Sequence, residues 1–226
     1  MKVIIQSPTR NIKLSKGFYT KANFQNLPGT NYFCDGTSII ELNESQFCRP
    51  GVKLLAKSWK EEVKKLTRIC SVTTTDDGFL IGDASGLWIY LVESDENIEI
   101  PTNFSASLFG NNQGLSIETP DYDKTVSVWE VIGFKLAMGN KEQGWASLKH
   151  EDGLSVSIMA PNVCPHAFLN PSISFFNGKK NIDVISKIRD LKIPIYEEIS
   201  HFNKEGIVDN IIVSDPGNIG FFIFSD

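Results

Sequence analysis

Three histidines and four cysteines are the scarce reactive groups of this 226-residue chain. Cys164 and His166, on either side of Pro165, form the one close pair. Alternate residues of an extended segment share a face, so thiol and imidazole are within reach of each other. A Cys–His nucleophile would also need an orienting carboxylate and donors for the oxyanion. The neighbouring sequence marks neither, and Pro165 suits a plain loop. His150 stands two residues before Asp152-Gly153 and reads as a solvated rim residue, and His201 reads the same way. Three histidines from separate loops could hold a divalent ion, although nothing in their spacing requires it. Cys34, Cys48, Cys70 and Cys164 make no CxxC pair and no zinc-ribbon spacing. Met1–Arg10 has no apolar core of a secretion signal, so the expectation is a cytoplasmic protein with free thiols. The even cysteine count leaves a disulfide reading open.

Among the carboxylates Glu118 has the most unusual setting, inside the apolar run Leu115–Thr119. Period-2 alternation puts it on the face of Gly114 and Ser116. It could bind a cationic ligand, act as a general base if desolvation raised its pKa, or sit at a solvent-facing edge. Lys57, Lys60, Lys64, Lys65 and Arg68 are interleaved with Glu61 and Glu62, which reads as a solvated helix face. There is no glycine-rich phosphate loop and no dinucleotide fingerprint.

Turns and helices must position these groups. Asp35-Gly36, Asp77-Gly78 and Asp152-Gly153 each separate apolar or β-branched runs and predict hairpins. Asp215-Pro216-Gly217-Asn218 predicts a tight turn before an aromatic strand. Helices are predicted at Ile12–Lys21, with Gly17 as a weak point, and at Lys60–Cys70, with a Ser58/Glu61 capping box. Two more are predicted at Tyr122–Ile132, capped by Asp121, and at Asn181–Leu191. The order strand, helix, then two or three strands occurs four times, at about 1–44, 50–93, 114–160 and 171–226. Ser94–Gln113, rich in Asn, Ser, Glu and Gly, separates two halves whose landmarks recur in order, a long-period repeat.

Composition narrows the function classes. Lys+Arg total 22 and Asp+Glu 27, a net charge of −5, which disfavours non-specific nucleic-acid binding. No apolar run approaches the roughly 18 residues that span a bilayer. The expected partner is a small molecule, with no nucleic acid and no membrane, and the expected state is a monomer.

The segment from Asp121 through Val128-Trp129 to Gly133-Phe134 resembles the Asp-x6-Phe-Tyr-x3-Gly-Phe helix of the glyoxalase/bleomycin-resistance/extradiol-dioxygenase (vicinal oxygen chelate) superfamily. Asp215-Pro216-Gly217-Asn218 resembles that family's closing Asp-Pro-x-Gly-Asn turn, one residue shorter. The likeness covers residues 114–226 and, more weakly, 1–93, through Phe18-Tyr19 and the closing hairpin. It implies an α+β fold in which four βαβββ units pair into two cupped-sheet domains. These would span residues 1–94 and 113–226, joined by a linker at 95–112.

Metal-bearing members of the family place His, Gln or Glu near the start of each unit's first strand, and Glu on the last strand. By motif spacing those places fall near Gly114 (beside Gln113), Ser172 and Phe221, and in the first half near Val52 and Tyr90. None holds a histidine or a carboxylate, so the resemblance implies a site without the usual metal. The cavity residues it implies are Ser116, Glu118, Trp145, Ser172, Ser174, Tyr196 and Phe221, an aromatic box with hydroxyls. The leading expectation is a cofactor-free protein of the bleomycin-resistance type that binds or sequesters a small molecule. The alternatives are a lyase, isomerase or dioxygenase with a divalent ion in a shifted site, and a scaffold whose cup is filled by its own aromatics.

Overall fold

A computed structural model describes residues 1–96, 98, 100 and 104–225. The N-terminal half runs β1 (Lys2–Pro8), α1 (Ile12–Lys21), β2 (Gln25–Asn26), β3 (Tyr32–Cys34), β4 (Ile39–Asn43), β5 (Gly51–Ala56), α2 (Lys60–Leu66), β6 (Val72–Thr75), β7 (Gly78–Gly82) and β8 (Trp88–Glu93). The C-terminal half repeats the order: β9 (Asn112–Glu118), α3 (Tyr122–Val131), β10 (Lys135–Asn140), β11 (Trp145–Lys149), β12 (Ser155–Met159), β13 (Ser172–Phe176), α4 (Asn181–Asp190), β14 (Ile195–Ile199), β15 (Asn210–Ser214) and β16 (Gly220–Phe224). Each half is one eight-stranded mixed sheet, ordered β2-β3-β4-β1-β5-β8-β7-β6 and β10-β11-β12-β9-β13-β16-β15-β14. The first strand of each half is central, parallel to the fourth (β4, β12) and antiparallel to the fifth (β5, β13).

The three Asp-Gly pairs close the β3–β4, β6–β7 and β11–β12 hairpins, and Asp215–Asn218 closes β15–β16. Asn11 and Asp121 cap α1 and α3 through bonds from Leu14 N–H (3.1 Å) and Lys124 N–H (3.2 Å). The Ser58/Glu61 capping box does not form. Glu93, at the end of β8, accepts instead from Trp59 N–H (3.0 Å) and the Ser58 hydroxyl (3.2 Å), while Glu61 pairs with Lys64 at 2.6 Å. A long-range carboxylate fixed by the β5–β8 pairing therefore takes over most of the capping, and Ser58 Oγ keeps only a long bond from Lys60 N–H (3.4 Å). The helix also stops at Leu66, short of Cys70.

One core runs through both halves. The helix-side faces of the two sheets share it, and Phe18 of α1 meets Phe221 of β16 at 5.8 Å between ring centroids. Four aspartates stitch the halves in symmetric pairs. Tyr19 of α1 donates to Asp215 (2.7 Å), and Trp129 of α3, its counterpart, donates to Asp83 (3.1 Å). Val3 N–H donates to Asp152 (2.9 Å), and the Asn112 amide donates to Asp35 (2.7 Å).

Burial pushes the Asp215 and Asp83 carboxyls above the usual range, against the hydrogen bonds that hold them down. At Asp152 burial also acts upward. There the bonds from His150 and from the Leu154 and Val3 N–H groups win, and its carboxyl lies below the usual range. His150 is buried, not a solvated rim residue, with Nδ1 2.9 Å from Asp152 and its ring on Phe134. All four cysteines are free. Among the described residues no helix is long and apolar enough to cross a membrane.

Candidate functional site

The face of each sheet turned away from the helices forms a cup, and the two cups are filled differently. In the N-terminal cup Gln6, Glu41 and Lys53 stand on neighbouring central strands. Lys53 pairs with Glu41 at 2.5 Å, and Gln6 bonds to Asn43 and to the Arg49 carbonyl. Beside them Ile4, Leu27, Cys34, Ile39 and Leu55 are covered by Ile98, Ile100 and Phe104. These last three belong to the linker expected at 95–112. Residues 97, 99 and 101–103 of that linker lie outside the described residues.

In the C-terminal cup the places of Gln6, Glu41 and Lys53 are taken by Ser116, Ser157 and Ser174. The small side chains leave a cavity of about 300 Å³. Its walls include Trp145, Phe176, Phe222 and Phe224, and its polar groups are the three serines, Gln113 and His166. The Ser116 and Ser174 hydroxyls bond each other at 2.7 Å. Met159 and Cys164 bring two sulfurs to the wall, 3.2 Å apart. Burial, and after it the Glu118 carboxylate, push the Cys164 thiol up to about 11, so it is a protonated and weak nucleophile at neutral pH. His166 Nδ1 lies 2.9 Å from the Ala167 carbonyl, which assigns the proton to Nδ1. Its ring stands edge-on to Phe222 and Phe224.

Of the seven residues anticipated from sequence, Ser116, Trp145 and Ser174 line this cavity. Glu118 lies outside the lining and ties down the loop that carries Val163, Cys164 and His166. Its carboxylate accepts from Asn162 N–H (3.0 Å), and its peptide group bonds Asn170. Ser172 is fully buried, with its hydroxyl on the Leu169 carbonyl (2.5 Å). Tyr196 is on β14, the edge strand, and is 58% exposed. Phe221 faces the opposite way, into the core between the halves, and Phe222 takes the cup-side place. Gln113, Ser157, Met159, Val163, Phe176 and Phe224 also line the cavity, and the sequence reading does not place them there. The alternation of Ser155, Ser157 and Met159 on β12 carried a signal for Ser157, whose register partner is Ser116. His201 is exposed and rests on Phe202.

The architecture is the tandem cupped-sheet fold of the extradiol dioxygenases. Homoprotocatechuate 2,3-dioxygenase from Brevibacterium fuscum (an E323L variant) superposes with a TM-score of 0.59 at 13% identity, over 99% of this chain and 70% of that one. The enzyme of the same name from Arthrobacter globiformis gives 0.57 at 14%, over 97% and 78%. BphC, a halotolerant catechol dioxygenase, gives 0.52 at 12%, over 97% and 84%. At these identities the likeness is one of fold. No family model matches the sequence, and no curated protein is detectably similar to it.

Proposed function

We propose that the C-terminal cup binds and sequesters a small, flat, uncharged organic molecule without a metal ion. The observation that carries this reading is the cavity lining: aromatic walls, three inward serines and no carboxylate. Aromatic faces hold a flat ring, while hydroxyls and the Gln113 amide fix its polar edge. A charged ligand would be desolvated there with no counter-ion.

The residues present do not fit the divalent ion that the fold suggests. Such an ion needs several imidazole or carboxylate donors to converge. Gly114 has φ +101°, and a Cβ there would lie 2.3 Å from the Ser155 carbonyl oxygen, so no ligating side chain can project from this place. The Ser172 hydroxyl is committed to a backbone carbonyl, and Phe222 offers only hydrocarbon. His166 is the one imidazole in the lining. Among the described residues no three of His, Cys, Asp or Glu gather at one point. Four free thiols and a net charge of −5 suit a cytoplasmic protein that does not carry nucleic acid.

The test is fluorescence titration with N-phenyl-1-naphthylamine, a neutral bicyclic aromatic, on the intact chain. Saturable binding that Ser116→Gln abolishes is expected. Stoichiometric uptake of a divalent ion, with no binding of the aromatic, would overturn the reading.

A further inference from the structure

A second and larger cavity, about 440 Å³, opens between the halves, far from either cup in the topology. It lies where α1 passes the α4–β14 connection and the β15–β16 turn. Leu14, Phe18, Ile193 and Pro194 give it an apolar floor, and Lys13, Lys21 and Lys192 ring it. Among the described residues none of these three lysines is in an ion pair. The carboxylate at the cavity is Asp215, whose oxygens are occupied by Ser7, Tyr19 and the N–H groups of Gly217 and Ile219.

Two local choices at this cavity run against backbone preference. Gly17 sits inside α1, where glycine is worse than alanine by about 1 kcal/mol. A Cβ there would meet no atom within 4 Å, so packing does not demand glycine, but any side chain would enter the open space. Lys192 follows α4 with φ +53°, a conformation that favours glycine by about 1 kcal/mol over other residues. Departures from local preference that converge on one place are expected at functional sites.

The internal repeat supplies a control. Asn11 corresponds to Asp121 as helix cap, so Lys13, Gly17 and Lys21 correspond to Asp123, Ser127 and Val131. Asp123 is neutralised by Lys141. The fold therefore demands neither Lys13 and Lys21 nor the glycine.

We propose that this cleft is a ligand site for an organic anion with an apolar body. The acidic group meets Lys13, Lys21 and Lys192, and the body lies on Leu14, Phe18 and Ile193, in the space that Gly17 leaves. The site is independent of the cup and of its proposed ligand.

The probe is 8-anilinonaphthalene-1-sulfonate, titrated by fluorescence into the intact chain. One saturable site is expected, weakened at least tenfold in the Lys13→Gln/Lys21→Gln/Lys192→Gln variant and weakened further by salt. Gly17→Leu, a change that favours the helix, should block it without loss of thermal stability. Ser116→Gln should leave it unaltered. Unchanged affinity in the triple variant, loss only in Ser116→Gln, or no saturable binding at all would overturn the proposal.

Discussion

The two cups are built on one backbone plan, yet one is sealed and the other is open. Three side chains per cup, and in the N-terminal cup the linker residues Ile98, Ile100 and Phe104 that cover it, make the difference. Gln6, Glu41 and Lys53 fill the N-terminal cup and bond to one another or to nearby groups, while Ser116, Ser157 and Ser174 leave about 300 Å³ in the C-terminal one. Cavity formation is thus decoupled from the fold, because a cup-side residue in a central strand does not touch the core that holds the halves together. The core-side positions are apolar in both halves.

The largest expected effect breaks the symmetry of the stitching, not of the cups. Asp215→Ala leaves the Ser7 and Tyr19 hydroxyls and two N–H groups without their acceptor, and should lower unfolding free energy by about 3–5 kcal/mol in urea titrations. Transplanting the sealed cup into the open one, as Ser116→Gln/Ser157→Glu/Ser174→Lys, should weaken binding of the neutral aromatic probe at least 100-fold, about 2.7 kcal/mol. Retained affinity would show that the probe is not held among these serines.

The aspartates also divide by pH. The raised carboxyl of Asp83 binds its proton more tightly folded than unfolded. Its contribution to stability is complete below the ordinary value of 3.8 and is lost as pH rises through the folded value. Asp152 is depressed, so its contribution is present above 3.8 and is lost as pH falls. Asp83→Asn should therefore destabilise more at pH 4 than at pH 7, and Asp152→Asn the reverse, in denaturant midpoints measured at both. The smallest effect is expected in the sealed cup. Glu41→Leu/Lys53→Met should change stability by less than about 1 kcal/mol, whereas Glu41→Leu alone strands Lys53 and costs more.

Much of this plan is legible in the chain. The Asp-Gly hairpins, the Asn11 and Asp121 caps and the four-fold strand–helix order follow from local chemistry, and local chemistry is what a sequence displays. The open cup is only partly legible. Ser116 and Ser174 alternate with Ile117 and Ile173, so period 2 shows their face. Gly220–Phe224 is apolar on both faces, so alternation cannot say whether Phe221 or Phe222 looks into the cup, and the shortened turn before it shifts the motif count by one. His150 misleads for another reason. Beyond Asp152, its surroundings include Met1, which the fold alone brings within reach. The Ser58/Glu61 box is replaced because Glu93, distant in sequence, takes both the Ser58 hydroxyl and the Trp59 N–H, while Glu61 turns to Lys64.

The reciprocal bonds Tyr19–Asp215 and Trp129–Asp83 have the pattern of an isologous dimer contact, in which residue i of one copy meets j of the other and j meets i. Here both copies lie in one polypeptide. A homodimer must carry two identical cups, because any mutation appears in both. Fusion lifts that constraint, and a substitution such as serine to lysine can close one cup while its twin stays open. The covalent join thus lets one cup keep a cavity of about 300 Å³ while its twin is filled, an asymmetry that two identical cups of a symmetric homodimer cannot show.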